Sequence, residues 1–136
     1  MSWVEDRIDQ IYTVVKSKVI TALVEEYPDI NFTMDDSENT TAQFPNVYVF
    51  FDTVERGQTL DGQGINAVFM TIRTKVSASK AQGNVVAQKV NAKVRDELKL
   101  LRFIASGSPI PTTSGDVKVI NANYGRVIGH DDPLIF

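Results

Sequence analysis

The chain has 136 residues, near the usual size of one compact domain, and its 43% hydrophobic and 23% charged residues argue against global disorder. Its 14 Lys and Arg against 17 Asp and Glu leave a net charge of −3, which argues against general phosphate binding. With no cysteine, disulfides, thiolate nucleophiles and thiolate metal sites are excluded together, and a reducing compartment fits.

The first residues carry Glu5, Asp6 and Arg7 without an apolar h-region, unlike a signal peptide. Residues 2–26 then read as an amphipathic helix. Val4, Ile8, Ile11, Tyr12, Val15, Val19, Ala22 and Leu23 fall within one arc at helical spacing. Ser2 and Glu5 have the spacing of a capping box, and Tyr27-Pro28 ends the helix because proline disfavours helical backbone at the residue before it. Ile30, Phe32 and Met34 alternate as an extended segment, followed by a polar loop over 35–43. Past Phe44-Pro45, the run Val47-Tyr48-Val49-Phe50-Phe51 predicts a strand over 46–52 with both faces at least partly covered.

Residues 53–64 are polar and hold three glycines, so a mobile, hairpin-like connection is expected there. A long strand follows over 65–78, with Val68, Met70, Ile72, Val76 and Ala78 on one face. Phe69, Thr71, Arg73, Lys75 and Ser77 lie on the other, mostly polar face. A second helix spans 80–102, with Val86, Ala87, Val90, Val94, Leu98 and Leu101 as its apolar stripe. A turn-rich loop over 107–115 leads to a last strand over 117–128, in which Ile120, Ala122, Tyr124 and Ile128 alternate around an interruption at Gly125. An extended tail over 129–136 closes the sequence with Leu134, Ile135 and Phe136. No apolar run approaches the roughly 20 residues of a membrane span, so a soluble, membrane-free domain is expected. The order predicts a single α+β domain over 1–136: one antiparallel or mixed sheet of about four strands, with two helices packed on one face.

Motifs that carry chemistry are sparse, and neither an enzyme nor a cofactor is expected. His130 is the single histidine, and consecutive His130-Asp131-Asp132 point in divergent directions, which suits a solvated turn better than a metal site. Asp35, Asp36 and Glu38 lack the calcium-loop framework, and Gly57, Gly62 and Gly64 fit no phosphate-cradling pattern. Three sets of residues are candidates for contact with other molecules. Trp3, Val14 and Ile20 fall outside the apolar arc of the first helix. Arg95, Lys99 and Arg102 share an outward arc of the second, with pairs such as Lys93 and Glu97 expected within that helix. Arg56 and Asp61 in the connection, with the tail trio Leu134, Ile135 and Phe136, complete the interface candidates.

Three stretches carry a resemblance to a known family. They are the opening helix closed by Tyr27-Pro28, the block Phe44-Pro45-Asn46-Val47-Tyr48-Val49 continuing through Leu60-Asp61-Gly62-Gln63 into Ile65-Asn66-Ala67-Val68, and the long strand's passage into the Val85 to Leu101 helix. In these the chain resembles the tail-terminator (tail-completion or neck) proteins of tailed bacteriophages. The resemblance implies a virion protein with a sheet backed by helices, assembled as a ring, usually of six copies. Such a ring caps the tail tube, joins it to the head-side connector and lets DNA pass without specific binding, which a net-negative chain suits. Loops vary widely in that family, so the tube-facing and connector-facing ends stay unassigned. Other readings are a different neck or minor tail protein, a small ligand-binding domain or enzyme using Asp52, Arg56 and Asp61, and a nucleic-acid accessory protein using Arg95, Lys99 and Arg102.

Overall fold

In the computed structural model, the described residues are 2–34, 44–58, 65–114 and 117–129; the side chains of 2, 54–58, 65–66 and 114 fall outside that description. The elements run α1 (Ser2–Leu23), β1 (Asn31–Thr33), β2 (Asn46–Gln58), β3 (Ile65–Ala78), α2 (Gly83–Leu100), β4 (Ile104–Ala105), β5 (Ile110–Ser114) and β6 (Val117–Gly129). The class is α+β, and the sheet is mixed: β1 joins β2 in parallel, and the β2–β3, β3–β6, β4–β6 and β5–β6 pairs are antiparallel. It has six strands, not about four. The excess comes from β1, seen in the sequence only as an extended segment, and from the stretch read as turns. There β4 and β5 form one interrupted edge, pairing Ala105 with Tyr124 and Ile110 with Asn121. Four residues thus lie opposite two of β6, a bulge that two short strands without a clear period do not announce.

Strand periodicity explains the core. Val68, Met70, Ile72 and Val76 are all fully buried, and on β6 Ile120, Tyr124 and Ile128 meet them. From the helices come Ile11, Val15 and Val19 of α1 and Val90, Val94 and Leu98 of α2, so both helices cover this one face. The expected apolar sets hold except at Ala22 and Met34, which are exposed. Tyr12 fastens α1 to the sheet, donating its hydroxyl to the Phe32 carbonyl at 3.1 Å with the two rings 5.5 Å apart. Between the helices, buried Glu97 faces Lys93 at 3.1 Å, as the spacing predicts, and Lys18 of α1 at 3.8 Å.

Three boundaries differ most from the sequence reading. α1 stops at Leu23, and 24–26 continue as a turn in which the Tyr27 N–H reaches the Leu23 carbonyl at 2.8 Å. Glu25 and Glu26 there suit a helix C-terminus poorly, because its carbonyls repel acid. At α2, Ser79 and Gln82 form a reciprocal cap, with the Ser79 N–H donating to Gln82 Oε1 at 3.1 Å and the Gln82 N–H to Ser79 Oγ at 3.3 Å. Gly83 follows at φ +76°, which turns the chain out of this capped turn and delays the helix to 83. β2 extends through Gln58, held opposite Ile65, so 53–58 belong to the strand; 59–64 lie outside the described residues.

The end of α2 supplies two predictions. The Phe103 N–H bonds the Leu98 carbonyl at 3.0 Å and the Arg102 N–H bonds the Lys99 carbonyl at 2.9 Å, a Schellman closure that leaves Arg102 at φ +69°. A left-handed residue with a Cβ costs about 1 kcal/mol. Arg102→Gly should therefore raise stability by about 0.5–1 kcal/mol, read as a higher denaturant midpoint. Arg126 of β6 donates from a guanidinium nitrogen to the Leu101 carbonyl at 2.8 Å, placing positive charge at the negative end of the helix. Arg126→Met keeps the stem and removes that bond, and should cost about 1–2 kcal/mol in the same titration.

Candidate intermolecular surfaces

The face of the sheet away from the helices is closed at one end, where Asn46, Ser77 and Val119 are buried, and, among the described residues, open along the rest, in keeping with the partial cover expected for β2. Strand registry places Phe50, Phe69, Ile104, Ile110 and Val127 on it. Phe50 is 38% exposed, Val127 48%, Ile110 62% and Ile104 75%. The Phe69 ring lies over Gly125, where an added Cβ would come within 2.9 Å of the ring's far edge. β6 therefore passes through Gly125 without interruption, and the glycine leaves room for the aromatic ring. Ile104 sits directly opposite Gly125, with Val127 two residues along β6, so Phe69, Ile104 and Val127 surround this point. Arg73 lies over the Phe50 ring at 4.5 Å, and Thr71, Lys75, Asn121 and Asn123 fill in polar positions. Apolar side chains rimmed by polar ones mark a contact surface.

The sheet also has an open edge. Beside β1, β2 is paired only over 46–48, and past Tyr48 no described residue pairs with that side.

The structure treats the sequence candidates unequally. Trp3 and Ile20 are half-buried and pack against the core; both sit at the border of the buried arc, where helical spacing alone does not decide. Val14 is also half-buried, without joining the core cluster. Arg95 and Lys99 are exposed on α2, with Arg95 3.6 Å from Asp96. Arg102 is exposed but lies beyond the helix, so the three do not continue one helical arc. Asp52 is exposed opposite Thr71, and the Arg56 backbone pairs with Ala67; the Arg56 side chain lies outside the description. Asp35, Asp36, Glu38, Asp61, Gly62, Gly64 and the whole segment from His130 through Leu134, Ile135 and Phe136 lie outside the described residues. Among the described residues no group of three or more acidic or histidine side chains converges on a metal-sized point, and no helix is long and apolar enough to cross a membrane.

Electrostatics tie the surface together at one further place. Lys89 donates to Glu26 at 2.7 Å and lies over the Tyr27 ring at 5.8 Å, joining the turn after α1 to α2. The hydrogen bond from Lys89 holds the Glu26 carboxyl below its ordinary value, and the same bond raises the Lys89 ammonium. Because the folded carboxyl titrates lower than the unfolded one, its contribution is present above the unfolded pKa and disappears as pH falls through the folded one. The stability gap between the native chain and Lys89→Gln should thus be constant near neutrality and close below about pH 4, measured by denaturant titrations across pH. In the interior, burial pushes the Tyr124 phenol up, while the Arg95 charge and the neighbouring Thr74 hydroxyl pull the other way.

No protein-family model matches the chain, and no curated protein matches it.

Proposed function

We propose that this protein is a structural virion component, a tail terminator that forms a ring, caps the phage tail tube and joins it to the head-side connector. The observation that carries this reading is the sheet face left uncovered by both helices, with Phe69, Ile104 and Val127 gathered around Gly125. A chain that seals one face and presents apolar side chains on the other is built to be completed by other chains. The open β2 edge adds backbone groups that a neighbouring strand satisfies. Two of the three stretches behind the family resemblance also serve this frame: the opening helix is one of the two that cover the sheet, and the Phe44 to Val49 block starts β2. Copies associating head-to-tail around a closed rotation make a ring, with a channel through which DNA moves past a chain of net charge −3 without tight binding.

Purified protein mixed with tail tubes and imaged in negative stain tests the reading. A ring-shaped cap on one end of each tube is the expected result. Tubes left bare at both ends, with the protein bound instead to isolated connectors, would move it to a head-side neck role.

A further inference from the structure

A groove runs between α2 and the β4–β5 edge, lined by Gln88, Asn91, Ala92 and Arg95 from the helix, Pro109 and Pro111 from the edge, and Ile120 at its base; its volume is about 400 Å³. Beyond Pro111 it continues into a second depression of about 310 Å³ that reaches Lys118. The walls are apolar through Ala92, Pro109, Pro111 and Ile120, and each end carries a cation, Arg95 or Lys118. Asn91 has an additional property. It is 5% exposed, yet its Oδ1 has no hydrogen-bond partner. A buried amide oxygen in this state is rare unless something else supplies the donor. A half-turn of the amide brings that oxygen to the groove, where the N–H of an extended peptide is such a donor.

The chain itself contains a segment with the matching chemistry. Residues 130–136, His-Asp-Asp-Pro-Leu-Ile-Phe, place two carboxylates just before three apolar side chains. Asp131 and Asp132 suit Arg95 at the rim, and Leu134, Ile135 and Phe136 suit the proline-walled interior. Chain geometry decides whose groove receives them. This segment leaves β6 at Gly129, whereas Ile120, at the groove's base, lies nine residues back along the same strand, about 30 Å away. Seven residues reach at most about 25 Å even when fully extended. The backbone of the apolar trio therefore cannot draw level with Ile120 of its own groove.

We infer that residues 130–136 of one copy dock in the α2/β5 groove of the next, a head-to-tail contact that repeats around the assembly. The inference rests on the ring reading and gives it a specific joint. It is a heterologous interface, the type that closes into rings. Asn91 then meets a backbone donor, Arg95 meets acid, and the apolar trio leaves water in a neighbour's groove.

The absence of native cysteine makes a direct test possible. Full-length Ala92→Cys chains are mixed with full-length Leu134→Cys chains and oxidised, and the products are resolved without reductant. A covalent heterodimer, at least tenfold above that formed by a Gln10→Cys control chain on exposed α1 mixed with Leu134→Cys, is the expected result. The double variant carrying both cysteines should give a ladder of covalent multimers. A compact, internally bridged monomer from the double variant would overturn the inference by showing that the segment reaches its own groove. Sedimentation of the unmodified chain separates the remaining failures. Rings that form without the cross-link overturn the groove joint alone, whereas a monomer that forms no cross-link overturns both the joint and the ring.

Discussion

Leu98→Ala should destabilise the fold by about 2–5 kcal/mol, a larger change than either substitution at the end of α2 should produce. Leu98 is 2% exposed and projects from α2 into the layer shared with Ile11, Val15 and Ile72. Truncating it removes most of a buried side chain's transfer energy and leaves a cavity that the sheet cannot collapse to fill. A second cost comes from position. Its carbonyl accepts the Phe103 N–H that closes α2, and Phe103 is itself 3% exposed, so the apolar contact that accompanies such a closure is lost with the side chain. Guanidinium titration should show a lower midpoint with an unchanged slope. A loss below about 1 kcal/mol would mean that α2 is not held against the sheet as described.

The second large effect is on assembly and not on folding. Ile104→Asp combined with Val127→Asp puts two charges at the centre of the open face, at side chains 75% and 48% exposed. Since neither residue belongs to the core, the melting temperature should move by no more than a few degrees. Association through that face would have to desolvate both carboxylates without partners, so self-association and tube capping should fall at least a hundredfold. A variant that melts normally and still assembles would remove this face from the interface. An equally charged pair on exposed positions of α1, Gln10→Asp with Thr13→Asp, controls for net charge, since it makes the same change in the sum without touching the open face.

How much of this was legible beforehand depends on what kind of pattern each residue belonged to. The core was readable because β3 and α2 repeat with clean periods: Val68, Met70, Ile72 and Val76 on one, Val90, Val94 and Leu98 on the other, are all buried. The open face was not. Ile104 and Ile110 stand in two- and five-residue strands separated by a bulge, too short to show alternation, and Val127 lies off the inward set of β6. Arg126 was invisible for a different reason. It occupies an inward position between Tyr124 and Ile128, where a charged residue looks like a break in the pattern until α2's end is seen to lie above it. Gly125 reads as a strand interruption in the sequence, although it is a landing place for Phe69, a fact only the cross-strand register supplies. Trp3 and Ile20, outside the arc read from spacing, pack partly against the core, since a helix embedded beside a second helix buries a wider arc than one stripe.

The groove between α2 and β5 follows from the same register. Asn91 sits three residues before Val94 on a helix face that spacing alone assigns to the core, and its unpaired amide oxygen appears only once the strands are in place. The acidic-apolar order of 130–136 is plain in the sequence, but what it matches is not.

Sedimentation of the purified full chain tests the central claim most directly. The account predicts one discrete species at about six times the 15.1 kDa subunit mass, unchanged over a wide concentration range because a closed ring has no free end to extend. A species that stays at the subunit mass up to high concentration, or a series of ever larger open-ended aggregates, would contradict it.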